Sequence, residues 1–499
     1  MKQAHYDVMI LGGSFSGSIL AMLLVKRGLK VALLEKGTHP RFAIGESSTP
    51  LADLLLRELG KRYGLERLIQ MSCYGRWKQF MPEVACGPKR GFAYQFHQED
   101  QAFSPEENHK NELLVSATSS LEVADLQWHR ASVDHMLWQQ AAENGVDCYS
   151  SATGDSHAGK QCVQFVGTAA EGTLKLQLTA DWGIDATTAQ VSPFDDQPAR
   201  SKASPLPYQT NTGALFGHVA QLPPWRQEWE AAGLCCNDHP FPIDHSALHQ
   251  VTPKAWIWQI RFDHEVTSLG MVLAHPQKNG VQSRQQAMAS FHQLLQQHPS
   301  LSHHFETLNW AAPENAPIWQ PRIQRLRQRN SGERWFSLPM AIGFVDPLHS
   351  TGIAHALWGI AQVVDCWESW SQNRFTSFAE SFTHQVQQEL LHVDRLVQFC
   401  YQHLGDAHRF TLGTLAYFAA ATQLEKQWLA GKNVFNSGFL LANNAPFCTA
   451  IQSYGCILND PHLTEDQCWE RCRSLLQPFD QVGLFAPAIP RMYAKTTAE

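Results

Sequence analysis

The stretch YDVMILGGSFSGSILAMLLVKRGLKVALLEK, residues 6–36, decides the fold. Its apolar run at 8–11 is short, continuous and stopped by Gly12 and Gly13, as a buried strand meeting a turn would be. Residues 17–27 then place Ile19, Leu20, Leu23 and Leu24 on one side of a helix that stops at Gly28, and 31–34 form a second apolar strand. Strand, small-residue turn, helix and strand make a βαβ unit, which predicts an α/β fold with a Rossmann-like opening. Such a turn suits a pyrophosphate, because the backbone approaches the anion closely and the first free amides of the helix point at negative charge. Gly12 and Gly17 hold the first and third positions of G-x-G-x-x-G. Ser14 holds the second, where its hydroxyl can replace lost clearance with a hydrogen bond, and Gly13 relaxes the turn. Glu35, ending the second strand roughly 20 residues on, is placed to accept hydrogen bonds from a ribose.

A chain of 499 residues can bury a large core divided among two or three modules. The net charge of −7 gives no reason to expect nucleic acid or an anionic membrane as a partner. No apolar run approaches the ~18 residues of a membrane span, and the first strand begins too early to leave room for a signal peptide. Twelve cysteines without a C-x-x-C framework, Cys235 and Cys236 adjacent among them, read as reduced thiols. A cytoplasmic location is expected. Sixteen Trp and 26 Phe are enough both to fill a large core and to line a pocket for a planar ligand.

Further along, Thr49 and Pro50 start a helix, which puts Gly45 and Glu46 just before it, near the mouth of the nucleotide site. Phe92, Tyr94 and Phe96 alternate on one strand face, and 97–120 reads as a polar, irregular, mobile loop. A helix over 133–142 and a strand at 146–149 follow, then antiparallel strands over 160–188, a second, mostly antiparallel sheet over 205–280, and helix over 282–310. Residues 335–346 return to a strand, and from Gly352 the pattern is helical almost to the end. The expected organisation is a first part of a discontinuous nucleotide module at 1–205, an antiparallel substrate domain at 206–330, a return segment at 331–370 and a helical region at 371–499. Twenty-four histidines show no metal spacing; His245 and His249, four apart, fall in strand and loop, so no metal site is expected.

Three segments carry a family resemblance. Gly12-Gly13-Ser14-Phe15-Ser16-Gly17, Gly45-Glu46-Ser47-Ser48-Thr49-Pro50 and Gly343-Phe344-Val345-Asp346-Pro347-Leu348-His349-Ser350-Thr351-Gly352-Ile353 resemble, in order, the FAD-contacting segments of flavin-dependent halogenases. The wider group includes aromatic hydroxylases and geranylgeranyl reductase-like flavoproteins. The resemblance implies FAD as cofactor, an aromatic-hydroxylase-type fold, and FAD contacts from Ser47, Asp346, Gly352 and Ile353 besides the residues named above. Arg130, ahead of the 133–142 helix, is similar to an arginine that supports FAD in this group. Thr351 and Gly352 match the amides that hold halide in halogenases, and Lys89 resembles the lysine that holds or relays hypohalous acid. Trp256-Ile257-Trp258-Gln259-Ile260-Arg261 is similar to the halogenase signature W-x-W-x-I-P, with Arg261 in place of proline. On a strand Trp256, Trp258 and Ile260 share one face and can wall the flavin off from the substrate.

Two departures bear on the activity. His349 stands where tryptophan halogenases carry a catalytic glutamate, and Asp185-Ala186-Thr187-Thr188 lacks the last glycine of a flavoprotein segment. The implied function is halogenation of an electron-rich aromatic or pyrrole-like small molecule, free or carrier-bound, with halide and a separate flavin reductase as partners. The alternatives are a monooxygenase or dehydrogenase on the same scaffold, and a non-catalytic flavin-binding partner or maturation protein.

Overall fold

The strand Lys2–Leu11 starts at the surface and becomes buried on both faces over its second half, as a central strand of a parallel sheet must. A computed structural model describes residues 1–196, 207–234, 236–367, 370 and 372–497. In its seven-stranded first sheet, Lys2–Leu11 lies between Val31–Leu34 and Leu174–Asp185, parallel to both. Leu174–Asp185 changes partners along its length. Its first half pairs antiparallel with Val163–Ala169, as expected for 160–188, and its end pairs parallel with Trp335–Ser337. The helix Phe15–Lys26 is buried from Phe15 through Leu24, because it is covered by the helices Arg130–Glu143 and Thr351–Asp365 as well as by the sheet.

The second sheet has nine strands, in the order Trp310–Ala312, Thr212–Ala220, Val266–Ala274, Ala255–Arg261, Ser246–Val251, Gly91–Phe96, Glu112–Ser116 and Met492–Tyr493, with Ile318–Gln320 beside Thr212–Ala220. It is antiparallel except where Ser246–Val251 meets Gly91–Phe96 and where Met492–Tyr493 meets Glu112–Ser116. This sheet therefore draws strands from within 1–205 and 371–499 as well as 206–330, and the 205/206 boundary lies outside the described residues. Strand alternation divides its two faces. Phe92, Tyr94, Trp256, Trp258 and Ile260 join the large core shared with the helices, while Ala93, Leu114, Ile257 and Met271 join a separate core behind the sheet.

Three expectations are corrected. The 97–120 segment is not loop throughout: Glu112–Ser116 is a fully buried strand, because it closes the sheet against Gly91–Phe96. Residues 335–346 form no continuous strand; Pro339 starts a helical turn, Pro339–Ile342, between Trp335–Ser337 and Gly343–Phe344. The C-terminal region is helical through Gln372–Tyr401, Ala407–Leu429, Ala445–Leu458 and Glu465–Leu476, but Met492–Tyr493 returns as an edge strand. Among the described residues the cysteines are free thiols, and no helix is long and apolar enough to cross a membrane.

Candidate active site

The glycine turn is built around close backbone approaches. Gly12 has φ +105°, and a Cβ there would stand 2.8 Å from the Ala186 backbone. A Cβ on Gly17 would lie 1.9 Å from the Gly12 carbonyl oxygen, so the helix can start under the strand only with glycine. Ser14 has ordinary extended angles (φ −76°, ψ −176°), which is why the second glycine is dispensable to the backbone. Ser14 gives the helix no side-chain cap and its own first turn holds no acid; Asp134 meets the Phe15 amide, and the amide end beyond it favours an anion.

Glu35 is buried, and its carboxylate accepts from the amides of Gly13 (2.8 Å) and Gly37 (2.9 Å). Burial works against its charge, but the Gly37 amide, Arg41 and the Gly13 amide together hold the carboxyl below its usual range. Glu35 therefore shapes the turn first; a carboxylate has about four acceptor sites, which leaves capacity for a ribose hydroxyl.

Arg130 is no surface arginine. It opens the helix Arg130–Glu143 and is 6% exposed. Its Nε and Nη2 donate to Asp134, and Nη1 donates to the carbonyls of Ile44 (2.9 Å) and Gly45 (3.1 Å). Asp134 also accepts from the Phe15 amide (3.2 Å), so one ion pair fastens the second glycine segment to the start of the first helix. Arg130→Ala should leave Asp134 buried and unpaired at a cost of about 3–5 kcal/mol. The expected result is a lower Tm together with weaker FAD binding, read by thermal melting and flavin fluorescence.

The second segment leads to Lys89. Glu46 receives a 2.7 Å contact from His218 Nε2, and its carbonyl accepts from the Trp128 amide; Ser47 bridges to Gln127. The Ser48 carbonyl accepts from Lys89 Nζ at 2.6 Å. Lys89 is fully buried, not a solvated turn residue, because Cys86–Lys89 is a strand paired with Asp125–Trp128, which sets Lys89 opposite Asp125. Its ammonium lies 3.9 Å from the Phe92 ring centroid. Burial pushes the amine down to about 7, against the pull of Asp125 and Asp53. Burial and the neighbouring Asp125 push Asp53 well above the usual carboxylate range.

A chain of aromatic rings runs from Lys89 to the third segment. The Phe92 ring is 6.3 Å from Tyr417, which stacks on His349 at 4.5 Å and 9°. Two residues later the helix Thr351–Asp365 begins, after Ser350 in the left-handed region and without a side-chain cap. Ile353 is buried in the core. At Gly352 a Cβ would make only ordinary contacts, the nearest 3.5 Å from Phe344, so the protein itself does not require glycine there. Asp346 is buried and accepts from Thr212 Oγ1 (2.9 Å), the Leu348 amide (3.1 Å) and Tyr401 (3.0 Å); burial pushes its carboxyl up to about 7 despite them.

The tryptophan wall joins the same network. Trp256 Nε1 donates to the Tyr401 hydroxyl (2.7 Å), and Trp258 Nε1 donates to Ser268 (3.2 Å). Arg261, in the proline position, donates from Nη1 to the carbonyls of Leu222 and Pro223, so a side chain anchors the strand end there. His349 Nδ1 and the Tyr94 hydroxyl are buried without a hydrogen-bond partner within the chain, and burial pushes His349 down to about 3, leaving a neutral ring.

The structure thus brings the three glycine segments, Arg130, Lys89 and Trp256 into one continuous arrangement. Sequence reasoning missed Asp53, Asp125, Tyr417 and the stacking of His349 on Tyr417. Asp125 becomes visible only from strand pairing, and Tyr417 sits in a helix whose apolar pattern gives no sign of its partner. His245 ends the turn Ile243–His245 and His249 lies in Ser246–Val251, so the two share no helix face.

Residues 237–407 match the tryptophan halogenase family model. Monodechloroaminopyrrolnitrin halogenase PrnC of Pseudomonas fluorescens is 25% identical over 485 residues, 91% of this chain and 80% of that protein. The 1H-pyrrole-2-carbonyl-(peptidyl-carrier protein) chlorinase of Pseudomonas fluorescens is 23% identical over 390 residues, 77% of this chain and 80% of the relative. The fold is shared with halogenase PltM in complex with phloroglucinol and FAD, at a TM-score of 0.80 and 21% identity over 98% of this chain and 99% of that one.

Proposed function

We infer that this chain, similar to flavin-dependent halogenases in sequence and sharing their fold, is an FAD-dependent oxidoreductase that halogenates an electron-rich aromatic or pyrrole-like substrate. One observation carries the reading: a fully buried amine, Lys89, is linked through the rings of Phe92, Tyr417 and His349 to the start of the Thr351 helix. The residues fit FAD. The Gly12–Gly17 approach and the amide end of the Phe15–Lys26 helix suit the pyrophosphate, Arg130 fixes the Gly45 segment against them, and Gly352 leaves room for a ring to approach. Bound in its reduced form, FAD supplies the electrons with which oxygen and halide yield hypohalous acid.

The remaining steps belong to the chain. The amides of Thr351 and Gly352 offer the halide a partial positive charge. Trp256 and Trp258 keep the organic substrate off the flavin side, so only a small oxidant crosses. At Lys89 the neutral amine attacks the halogen of the hypohalous acid: an N–halogen bond forms, the O–halogen bond breaks, and hydroxide takes up the displaced proton as water. The haloamine then passes its halogen to the substrate ring: the N–halogen bond breaks, a carbon–halogen bond forms, and the ring proton goes back to the Lys89 nitrogen, which restores the amine. His349 Nδ1 and the Tyr94 hydroxyl, both lacking partners, suit a substrate bearing a hydroxyl or amine. A relative whose substrate is held on a carrier protein makes a carrier-bound substrate admissible here. The single glycine cradle among the described residues points to a separate reductase as electron donor, and the free thiols suit the cytoplasm.

The test is turnover with a flavin reductase, FAD, bromide and an electron-rich phenol. A brominated phenol is expected; a hydroxylated product with bromide ignored would make the enzyme a monooxygenase. The pH profile follows from Lys89. With its amine pushed down to about 7, the reactive form prevails above that pH. Halogenation should plateau above about pH 7 and fall about tenfold per unit well below it. A profile flat through pH 6–8 would separate the rate from Lys89.

A further inference from the structure

We propose that His109, Glu112 and His239 form a binding site for a zinc-class divalent cation, on the face of the second sheet turned away from Lys89. Period-2 alternation sets its position: Leu113 and Val115 belong to the core shared with Phe92, Tyr94 and Tyr417, whereas Leu114, on the same face as Glu112, belongs to the core behind the sheet. The three donors come from separate stretches of chain. His109 ends a short turn before the strand, Glu112 begins Glu112–Ser116, and His239 follows the helix Trp225–Ala231.

Glu112 is 0% exposed, and each of its carboxylate oxygens faces a different imidazole. Oε2 lies 3.0 Å from His109 Nδ1, and Oε1 lies 3.3 Å from His239 Nε2. The Oε1 and Nε2 atoms of the second pair are buried and form no aligned hydrogen bond. His109 Nε2 meets Asp238 Oδ2 at 2.8 Å and its Nδ1 meets Glu112 Oε2 at 3.0 Å, so the ring bridges two carboxylates. A cation would take the place of the Nδ1 proton and would also meet the buried Glu112 Oε1 and His239 Nε2, which form no aligned hydrogen bond.

The two spacings to Glu112 agree with that cation, and binding would draw the two histidines in around it. Ligands 2.0–2.2 Å from a tetrahedral zinc stand roughly 3.4 Å apart. The candidate ligand atoms all lie within 4.8 Å of one another, and the two closest pairs are at 3.0 and 3.3 Å. Two imidazoles and a carboxylate are a zinc donor set with the fourth position left to water. Asp238 against His109 reproduces the carboxylate–histidine–metal arrangement that orients such ligands. Trp229 lies 5.7 Å from the His239 ring and stacks on Phe103 at 11°, so the ion would pin the 97–111 segment to the segment around Trp229.

The experiment uses untagged full-length protein, purified with and without added zinc, its metal content measured by plasma mass spectrometry and its zinc affinity by competition with a chromophoric chelator. About one zinc per chain in the wild type, reduced at least tenfold in His109→Ala and in Glu112→Gln, is the expected result. Cobalt(II) substitution of the wild type supplies a reading that survives misfolding of either variant, since a tetrahedral N/O site gives intense visible bands and an octahedral ion does not. Zinc content near zero after growth and titration with zinc, or content unchanged in both variants, overturns the proposal and leaves these residues as a charged hydrogen-bond cluster. A wild-type protein that takes up cobalt with only weak octahedral bands overturns it as well.

Discussion

Lys89→Met is expected to lower halogenation about a thousandfold or more while FAD affinity changes by less than about threefold. The size follows from what the amine does. Lys89 is the one buried lysine among the described residues, and losing a positioned reactive group typically costs 10²–10⁴. Structural damage is bounded. Methionine fills nearly the same volume, but the Ser48 carbonyl loses its 2.6 Å partner, which costs about 1–3 kcal/mol. That loss is partly offset because an amine pushed down to about 7 was itself expensive to bury. Oxygen consumption should continue, with the oxidant escaping instead of reaching the substrate. Product formation within tenfold of wild type would remove Lys89 from the chemistry.

Gly17→Val should have the second large effect, on cofactor binding. A Cβ at Gly17 would stand 1.9 Å from the Gly12 carbonyl oxygen, a distance no side chain tolerates. Either the Phe15–Lys26 helix withdraws from the strand or the turn opens, and both displace the amides that would meet the pyrophosphate. FAD affinity should fall at least 100-fold, about 2.7 kcal/mol, accompanied by about 1–3 kcal/mol of overpacking. Gly28→Ala is the control: Gly28 also has positive φ (+87°) but nothing within 4 Å of a Cβ, so strain is tested without the clash. Flavin retained by Gly17→Val at wild-type affinity would undo the assignment of this turn to the cofactor.

The first 36 residues could be read directly because every determinant there is local. Short apolar runs, a glycine turn and a terminal acid specify a βαβ unit without reference to anything distant, and Gly12, Gly17 and Glu35 stand where that reading puts them. Ser14 was the one irregularity, and its ordinary backbone angles explain it. The tryptophans of Ala255–Arg261 could be placed on one face for the same reason, since strand alternation is a local rule.

What could not be read depends on pairings across the chain. Lys89 follows Gly87 and Pro88, which in sequence mark a turn; only its strand partner, more than thirty residues away, shows that it is buried opposite Asp125. Glu112–Ser116 lies inside a polar stretch and owes its burial to the sheet on one side and Met492–Tyr493 on the other. Tyr417 and His349 meet by packing of the Ala407–Leu429 helix, and neither residue signals the other in sequence. His109, Glu112 and His239 likewise have no fixed spacing to recognise.

The most direct test of the central claim is a single turnover of the protein loaded with reduced FAD, mixed with ¹⁸O-labelled oxygen, bromide and an electron-rich phenol, and followed by mass spectrometry of the phenol. The account predicts a brominated phenol carrying no ¹⁸O, with the label recovered in water. A phenol that gains ¹⁸O and no bromine would contradict it and assign the site to oxygen transfer.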